Sequence, residues 1–278
     1  MHPNPQNASR QLTRRQAALA LLGLPLAGCG GGGSSSSDGA SAAEGSRTSR
    51  VISSRITNTD YALNIYLPPA SAGAPGSLPV IYALDGESWY EMLASLAEST
   101  RSRVIVVAIN TSGQRSRDFV PGNSCTPAGG GNVAYFNFIR NELIPFVESN
   151  IGGNASRRIL FGHSHGGSFV LYAMFAEAPG HQTFASYLAS DSSVSCMPTE
   201  AYGWEQAYAA SYKELPVRLH LSCASLGNYA ANVDYAQAIT RRNYQGLTYK
   251  AQAYTGTHGG IVPQVLAEAL PFALAAGT

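Results

Sequence analysis

Gly162-His163-Ser164-His165-Gly166 has the spacing G-x-S-x-G. A serine hydroxyl is a weak nucleophile at neutral pH. It attacks a carbonyl only with a base in hydrogen-bond reach and N–H donors for the oxyanion. In a chain with 29 glycines the spacing alone says little, and its flanks carry the weight. Ile159-Leu160-Phe161 reads as a buried strand, and Ser168 to Ala176 as an apolar helix stopped by Pro179-Gly180. Strand, sharp turn and helix expose a nucleophile at the carboxyl edge of a sheet. Glycines beside the serine leave room where side chains would strike strand and helix. The helix start above it favours an anionic intermediate.

Six histidines compete to be the base. His2 stands in the leader, His220 in the middle of a predicted strand, and His181 in the turn after Pro179-Gly180. His163 and His165 adjoin Ser164, but the elbow points neighbouring side chains away from its hydroxyl. His258 follows the last predicted strand in a Gly-rich loop, the place of the base in the chain order nucleophile, acid, base. The expected oxyanion donors are the N–H groups of His165 and of Gly86, in the turn after the strand Leu78 to Leu84. The acid stays open. Cys223 to Asn228, after the penultimate strand, holds no carboxylate. Asp234 opens a predicted helix, where capping competes as its role. Asp191 follows the strand after the elbow. A Ser–His pair without an acid is the third reading. Trp89 follows the oxyanion turn and lines the cleft or packs beneath it.

The elements that must hold these residues alternate. Ser49–Thr57 and Tyr61–Leu67 read as a strand pair, then Leu78–Leu84 as a strand, Ser88–Ser99 as a helix and Arg103–Ile109 as a strand. Thr111–Gly131 reads as a long loop, and Asn132–Asn150 as a helix kinked at Pro145. After the elbow come strands at Ser186–Ala189, Leu219–Ser222 and Thr248–Tyr254, and helices at Thr199–Tyr212, Asn232–Asn243 and Val262–Ala275. Alternation of this kind predicts an α/β fold: one mostly parallel sheet with helices on both faces, a single domain over 49–278.

The 278 residues, 45% hydrophobic, suit one such domain. Formal net charge is +1. Without Arg10, Arg14 and Arg15 the remainder has 15 basic against 17 acidic side chains, so nothing marks a nucleic-acid partner. Arg14-Arg15 precede an apolar run from Ala17 to Ala27, too short to span a bilayer but suited to a signal peptide over 1–28. Leu26-Ala27-Gly28-Cys29 resembles a bacterial lipobox, which makes Cys29 the expected lipidation site and membrane anchor. Thr13-Arg14-Arg15 is similar to a weak twin-arginine signal. Residues 29–48, rich in Gly and Ser, read as a disordered tether of roughly 25 Å. The expected location is the bacterial cell envelope, on the periplasm-facing side of the outer membrane. Export permits disulfides. Cys223 lies in a strand pattern, whereas Cys125 and Cys196 fall in loops at the carboxyl edge, so Cys125–Cys196 is the expected pair.

Taken together these stretches resemble a known family. Val80 to Gly86, Val106 to Asn110, Arg115 to Pro121, Phe138 to Glu148, Gly162 to Gly167 and Thr257 to Pro263 are similar, in order, to the putative-esterase family of α/β-hydrolases. That family holds siderophore, feruloyl and S-formylglutathione esterases, and the likeness is nearest to siderophore trilactone hydrolases. The resemblance implies the α/β-hydrolase fold and hydrolysis of a small-molecule carboxylic ester through an acyl-enzyme, with Ser164 as nucleophile, His258 as base, and no metal or cofactor. It also implies that Arg117 and Asp118 shape the cleft. Two segments depart from it. Ala224-Ser225-Leu226-Gly227 stands where the family often has Gly-Glu-Leu-Glu, and Ser190-Asp191-Ser192-Ser193-Val194-Ser195 where it often has Ser-Pro-Ser-Leu-Trp-Trp. The missing carboxylate motivates the rival expectation, a non-catalytic ligand-binding lipoprotein on a hydrolase fold. An oxidoreductase is excluded for want of a G-x-G-x-x-G after a strand.

Overall fold

The computed structural model describes residues 44–275. The signal peptide, Cys29 and most of the tether lie outside them. Eight strands form one sheet in the order β1-β2-β4-β3-β5-β6-β7-β8. β1 (Ser46–Ser54) and β2 (Thr59–Leu67) make an antiparallel hairpin, and β2 runs antiparallel to β4 (Ile105–Ile109). From there β4, β3 (Val80–Ala83), β5 (Arg158–His163), β6 (Ser186–Ser190), β7 (Arg218–Leu226) and β8 (Thr248–Thr257) are parallel.

Parallel strands need crossovers, and the crossovers cover both faces. The strands therefore read as continuous apolar runs whose alternate residues enter opposite cores. In β4, Ile105, Val107 and Ile109 join one cluster, while Val106 and Ala108 join the other. The second cluster is closed by α1 (Gly86–Ser99) and α8 (Val262–Leu274). Val262, Val265, Leu266, Ala269, Leu270 and Ala273 recur along α8 at helical spacing and are buried. The first cluster is closed by α3 (Asn132–Phe138), α4 (Ile144–Asn150), α5 (His165–Phe175), α6 (Pro198–Ser211) and α7 (Tyr229–Arg242). α5 is apolar almost all round because strands and helices surround it.

Three expectations are corrected. The domain begins earlier than residue 49: Ser46 to Thr48 pair with Leu67 to Ile65 in β1. Arg47 fixes that end by bridging Glu98, Nη2 to Oε2 2.8 Å, with its guanidinium over the Tyr66 ring. The loop 111–131 contains a short helix, α2 (Arg115–Phe119). At Pro145 the helix continues through a π-turn over Ile139–Leu143, with Ile144 N–H donating to the Ile139 carbonyl. Pro145 has no N–H to offer, and widening the turn by one residue re-pairs the backbone before it.

Candidate active site

Strand β5 ends at His163 and α5 begins at His165, so Ser164 alone makes the turn, with φ 62° and ψ −121°. That conformation is costly for a non-glycine residue and persists only where neighbours hold it. They do so here: Ser164 N–H donates to the Ser190 carbonyl at 2.9 Å, and Ser193 N–H donates to the Ser164 carbonyl at 3.2 Å. Gly162 is demanded by the same turn, because a Cβ there would overlap the Gly166 carbonyl. The turn at Ser164 is thus fastened to the loop after β6.

That loop carries Asp191, fully buried and in a left-handed conformation with φ 38°. Its Oδ2 meets His258 Nδ1 at 2.5 Å. Its Oδ1 accepts the N–H of Ala224 at 3.0 Å and of Asn228 at 3.2 Å. Those two donors bound Ala224–Asn228, the irregular end of β7 and the turn that follows it, the segment without a carboxylate. The turn closes around a carboxylate supplied by the neighbouring strand. Gly227 has to lack a side chain there, since its Cβ would overlap Asp191 Oδ2. Asn228 and Asn232 hold the loop backbone from α7, donating to the Asp191 and Ser192 carbonyls at 3.2 and 2.8 Å.

Asp234, the other acid candidate, is not brought to His258. Its side chain is exposed on the second turn of α7, and its charge is felt by Tyr202. The start of α7 packs its Asn232 side inward, which turns Asp234 out.

Around the pair stands a stack of rings. His163 lies 4.3 Å from His258 and 5.4 Å from Trp89, centroid to centroid, the latter edge to face. His163 is buried, with Nδ1 3.1 Å from Ser190 Oγ. Burial, then the neighbouring His258, pushes its pKa down to about 4. Burial does the same to His165. Both flanking imidazoles therefore stay neutral at pH 7. Trp89 is half-buried against this stack, with its indole N–H unpaired.

The first N–H groups of a helix have no partner within it. His165 and Gly86 are the first residues of α5 and α1, and these starts adjoin where Gly166 packs on Leu84 and Asp85. Arg115 clamps this junction. Its Nε donates to Asp85 Oδ1 at 2.6 Å, and its Nη2 to Asp85 Oδ2 and the His163 carbonyl at 3.1 and 3.2 Å. Burial pushes the Asp85 carboxyl up, against the pull of Arg115.

Arg117 and Asp118, expected to shape the cleft, are engaged in a network of their own. Arg117 Nε donates to Asp118 Oδ1 at 2.7 Å, and its Nη2 reaches Thr59 Oγ1 and the Tyr61 hydroxyl. Tyr61 in turn donates to Asp118 Oδ2 at 2.7 Å. This network ties α2 to β2. Two residues that the sequence did not single out do stand at the site: Arg115, and Ser193, whose Oγ is 3.2 Å from Ser164 Oγ. Cys125 and Cys196 form a disulfide, Cα to Cα 5.6 Å, and Cys223 is free and buried. The bond joins the loop after β4 to the loop after β6. Asn123 supports it by donating to the Cys196 carbonyl and to Glu200. Among the described residues no group of three or more His, Cys, Asp or Glu side chains is placed to hold a metal ion.

The arrangement can move a proton from a hydroxyl at the elbow to an imidazole steadied by a buried carboxylate. With the sheet order, it defines the class of α/β-hydrolases that are serine esterases. The chain belongs to the Putative esterase family, whose model matches residues 53–259. It is 26% identical over 259 residues to the ferri-bacillibactin esterase BesA of Bacillus subtilis, covering 81% of this chain and 88% of that protein. It is 30% identical over 162 residues to a siderophore triacetylfusarinine C esterase of Aspergillus fumigatus; that match covers 51% of this chain and about half, 54%, of the relative. Among solved structures it is similar to an IroE-like serine hydrolase of Shewanella oneidensis, with TM-score 0.72, 25% identity, and 81% and 79% of the two chains covered.

Proposed function

We propose that the protein hydrolyses siderophore-type or other bulky carboxylic esters through an acyl-enzyme. Ser164 Oγ attacks the ester carbonyl carbon while His258 Nε2 takes its proton, and Asp191 steadies the imidazolium through Nδ1. The N–H groups of His165 and Gly86 receive the oxyanion. Collapse breaks the carbon–alkoxide bond, and His258 returns the proton to the leaving alcohol. Water then attacks the acyl-enzyme by the same route, releasing the acid and restoring Ser164. Before attack the Ser164 hydroxyl must leave Ser193 for His258; such bonds tighten when substrate arrives. The observation that carries the reading is the buried Asp191 carboxylate, held by two backbone N–H groups and aimed at His258. It answers the missing carboxylate that motivated a non-catalytic binder. The substrate class rests on the siderophore esterases to which the chain is similar.

Hydrolysis of p-nitrophenyl acetate and butyrate tests the activity. The wild type should turn them over, and Ser164→Ala and His258→Ala should not; a folded but silent wild type on these and on trilactone esters would sink the proposal. Export and anchoring at Cys29 to the periplasmic face of the outer membrane belong to the same reading, on the strength of Leu26-Ala27-Gly28-Cys29. Labelled palmitate should enter the wild type and not Cys29→Ser, and equal labelling of both would dispose of the anchor.

A further inference from the structure

The charges at the carboxyl edge of the sheet are unevenly spent. Arg115 and Arg117 are the cations in the loops and first helical turns that follow β3 to β8, and each is closed on its own carboxylate, Asp85 and Asp118. Asp191, Glu87 and Glu200 remain without a cationic side chain against them. Asp191 faces His258, Glu87 accepts from Thr111, and Glu200 accepts from Asn123. Lys213 and Lys250 stand toward the opposite edge, before β7 and early in β8. Arg55 and Asp60, one of each sign, sit on the β1–β2 turn, three strands or more from β5.

The same edge exposes apolar surface. Leu226 and Tyr229, 72% and 44% exposed, flank the turn that cradles Asp191, and Val133, 55% exposed, opens α3 after the loop 111–131. Isolated apolar side chains on a surface need no account. Leu226 pairs with Thr257, the residue before His258, so it and Tyr229 border the proposed site, where an ester's arms would lie.

We propose that this rim selects uncharged esters with apolar arms and turns away polyanionic ones. The proposal rests on the esterase reading and adds the substrate's charge to it. Among iron-chelating trilactones it favours the hydroxamate kind, whose ferric complex is uncharged, over the catecholate kind, whose ferric complex is triply anionic. Three net negative charges about 10 Å from a bound group, in a water-like dielectric, amount to roughly tenfold per substrate charge at low salt. A Debye length of about 4 Å near 0.5 M salt removes most of that.

The test compares kcat/KM for the p-nitrophenyl ester of monomethyl succinate with that of the succinate monoanion of the same length, each corrected for spontaneous hydrolysis. The neutral ester should lead by about tenfold at 10–20 mM salt and by less than about twofold at 0.5 M. Glu200→Lys should raise the anion-to-neutral ratio by about fourfold at low salt. Equal rates at low salt, a preference for the anion, or a gap that ignores salt would overturn the proposal while leaving the esterase standing. Turnover of neither ester by the folded protein would overturn the esterase reading, and this inference with it.

Discussion

Replacing Asp191 by Asn keeps the shape of the side chain and removes its charge, and the structure says what that should cost. The carboxylate is fully buried and accepts three hydrogen bonds, two from backbone N–H groups and one from His258 Nδ1. An amide has one accepting oxygen and an NH2 that only donates. If the oxygen faces Ala224 and Asn228, the NH2 faces Nδ1, and the imidazole must carry its proton on Nε2. That tautomer cannot take the Ser164 proton. If the oxygen faces His258, the NH2 meets two buried N–H donors head on. Either way the imidazolium loses its counter-charge on the side that faces the buried Asp191. A loss of 10²–10⁴ in kcat is expected, about 3–5 kcal/mol of transition-state stabilisation. KM should move little, because Asp191 does not reach solvent. The assay is steady-state hydrolysis of p-nitrophenyl butyrate, with near-UV circular dichroism to confirm the fold and Asp234→Asn as the matched control. Asp191→Asn within threefold of wild type, or Asp234→Asn as damaged as Asp191→Asn, would refute the reasoning.

Other perturbations follow from the same contacts. Gly227→Ala places a methyl against Asp191 Oδ2; kcat should fall by about tenfold or more and the melting temperature should fall with it, since the proposed acid it displaces is buried and hydrogen-bonded. His163 and His220 are buried, and burial pushes each down to about 4. Folded, they stay neutral to about that pH, whereas unfolded they protonate near 6.5. Stability is therefore full above about pH 6.5 and falls toward pH 4, by about 1 kcal/mol per pH unit for each histidine. His220 has both ring nitrogens unpaired, so His220→Leu should show a shallower loss of urea midpoint between pH 7 and 5; parallel curves would contradict this. The disulfide closes a 71-residue separation, worth about 4 kcal/mol on a loop-entropy account. Denatured, unreduced Cys29→Ser protein should titrate one thiol, and three would exclude the bond.

Much of the frame was legible because parallel strands buried on both faces must be apolar runs, and Val104 to Ile109 or Ile159 to Phe161 can be little else. The elbow was legible because its glycines are dictated by local overlap. Asp191 could be named but not chosen. What selects it is a turn 33 residues further along that points two N–H groups at it, and Ala224-Ser225-Leu226-Gly227 shows an absent carboxylate without showing where its replacement stands. Arg115 and Arg117 look alike in sequence. On the short helix α2 their two-residue spacing sends one to Asp85 and the other to Tyr61. Pro145 announced a disturbance, but choosing between a kink and a π-turn depended on how Ile144 repaired its backbone.

The proposed base rides on the last strand of the sheet. β8 pairs with β7 alone, half of its residues are exposed and only Tyr254 is buried; His258 follows it directly, and its bond to Asp191 reaches over the end of β7 to the loop of β6. Edge elements with few buried contacts open at lower free energy than the sheet they border. Fraying of this margin would swing the imidazole off its carboxylate while the remaining strands stay paired. Heating should therefore silence turnover several degrees before ellipticity is lost, and brief cooling should restore it, so that endurance of the activity is governed by one seam rather than by the melting of the whole.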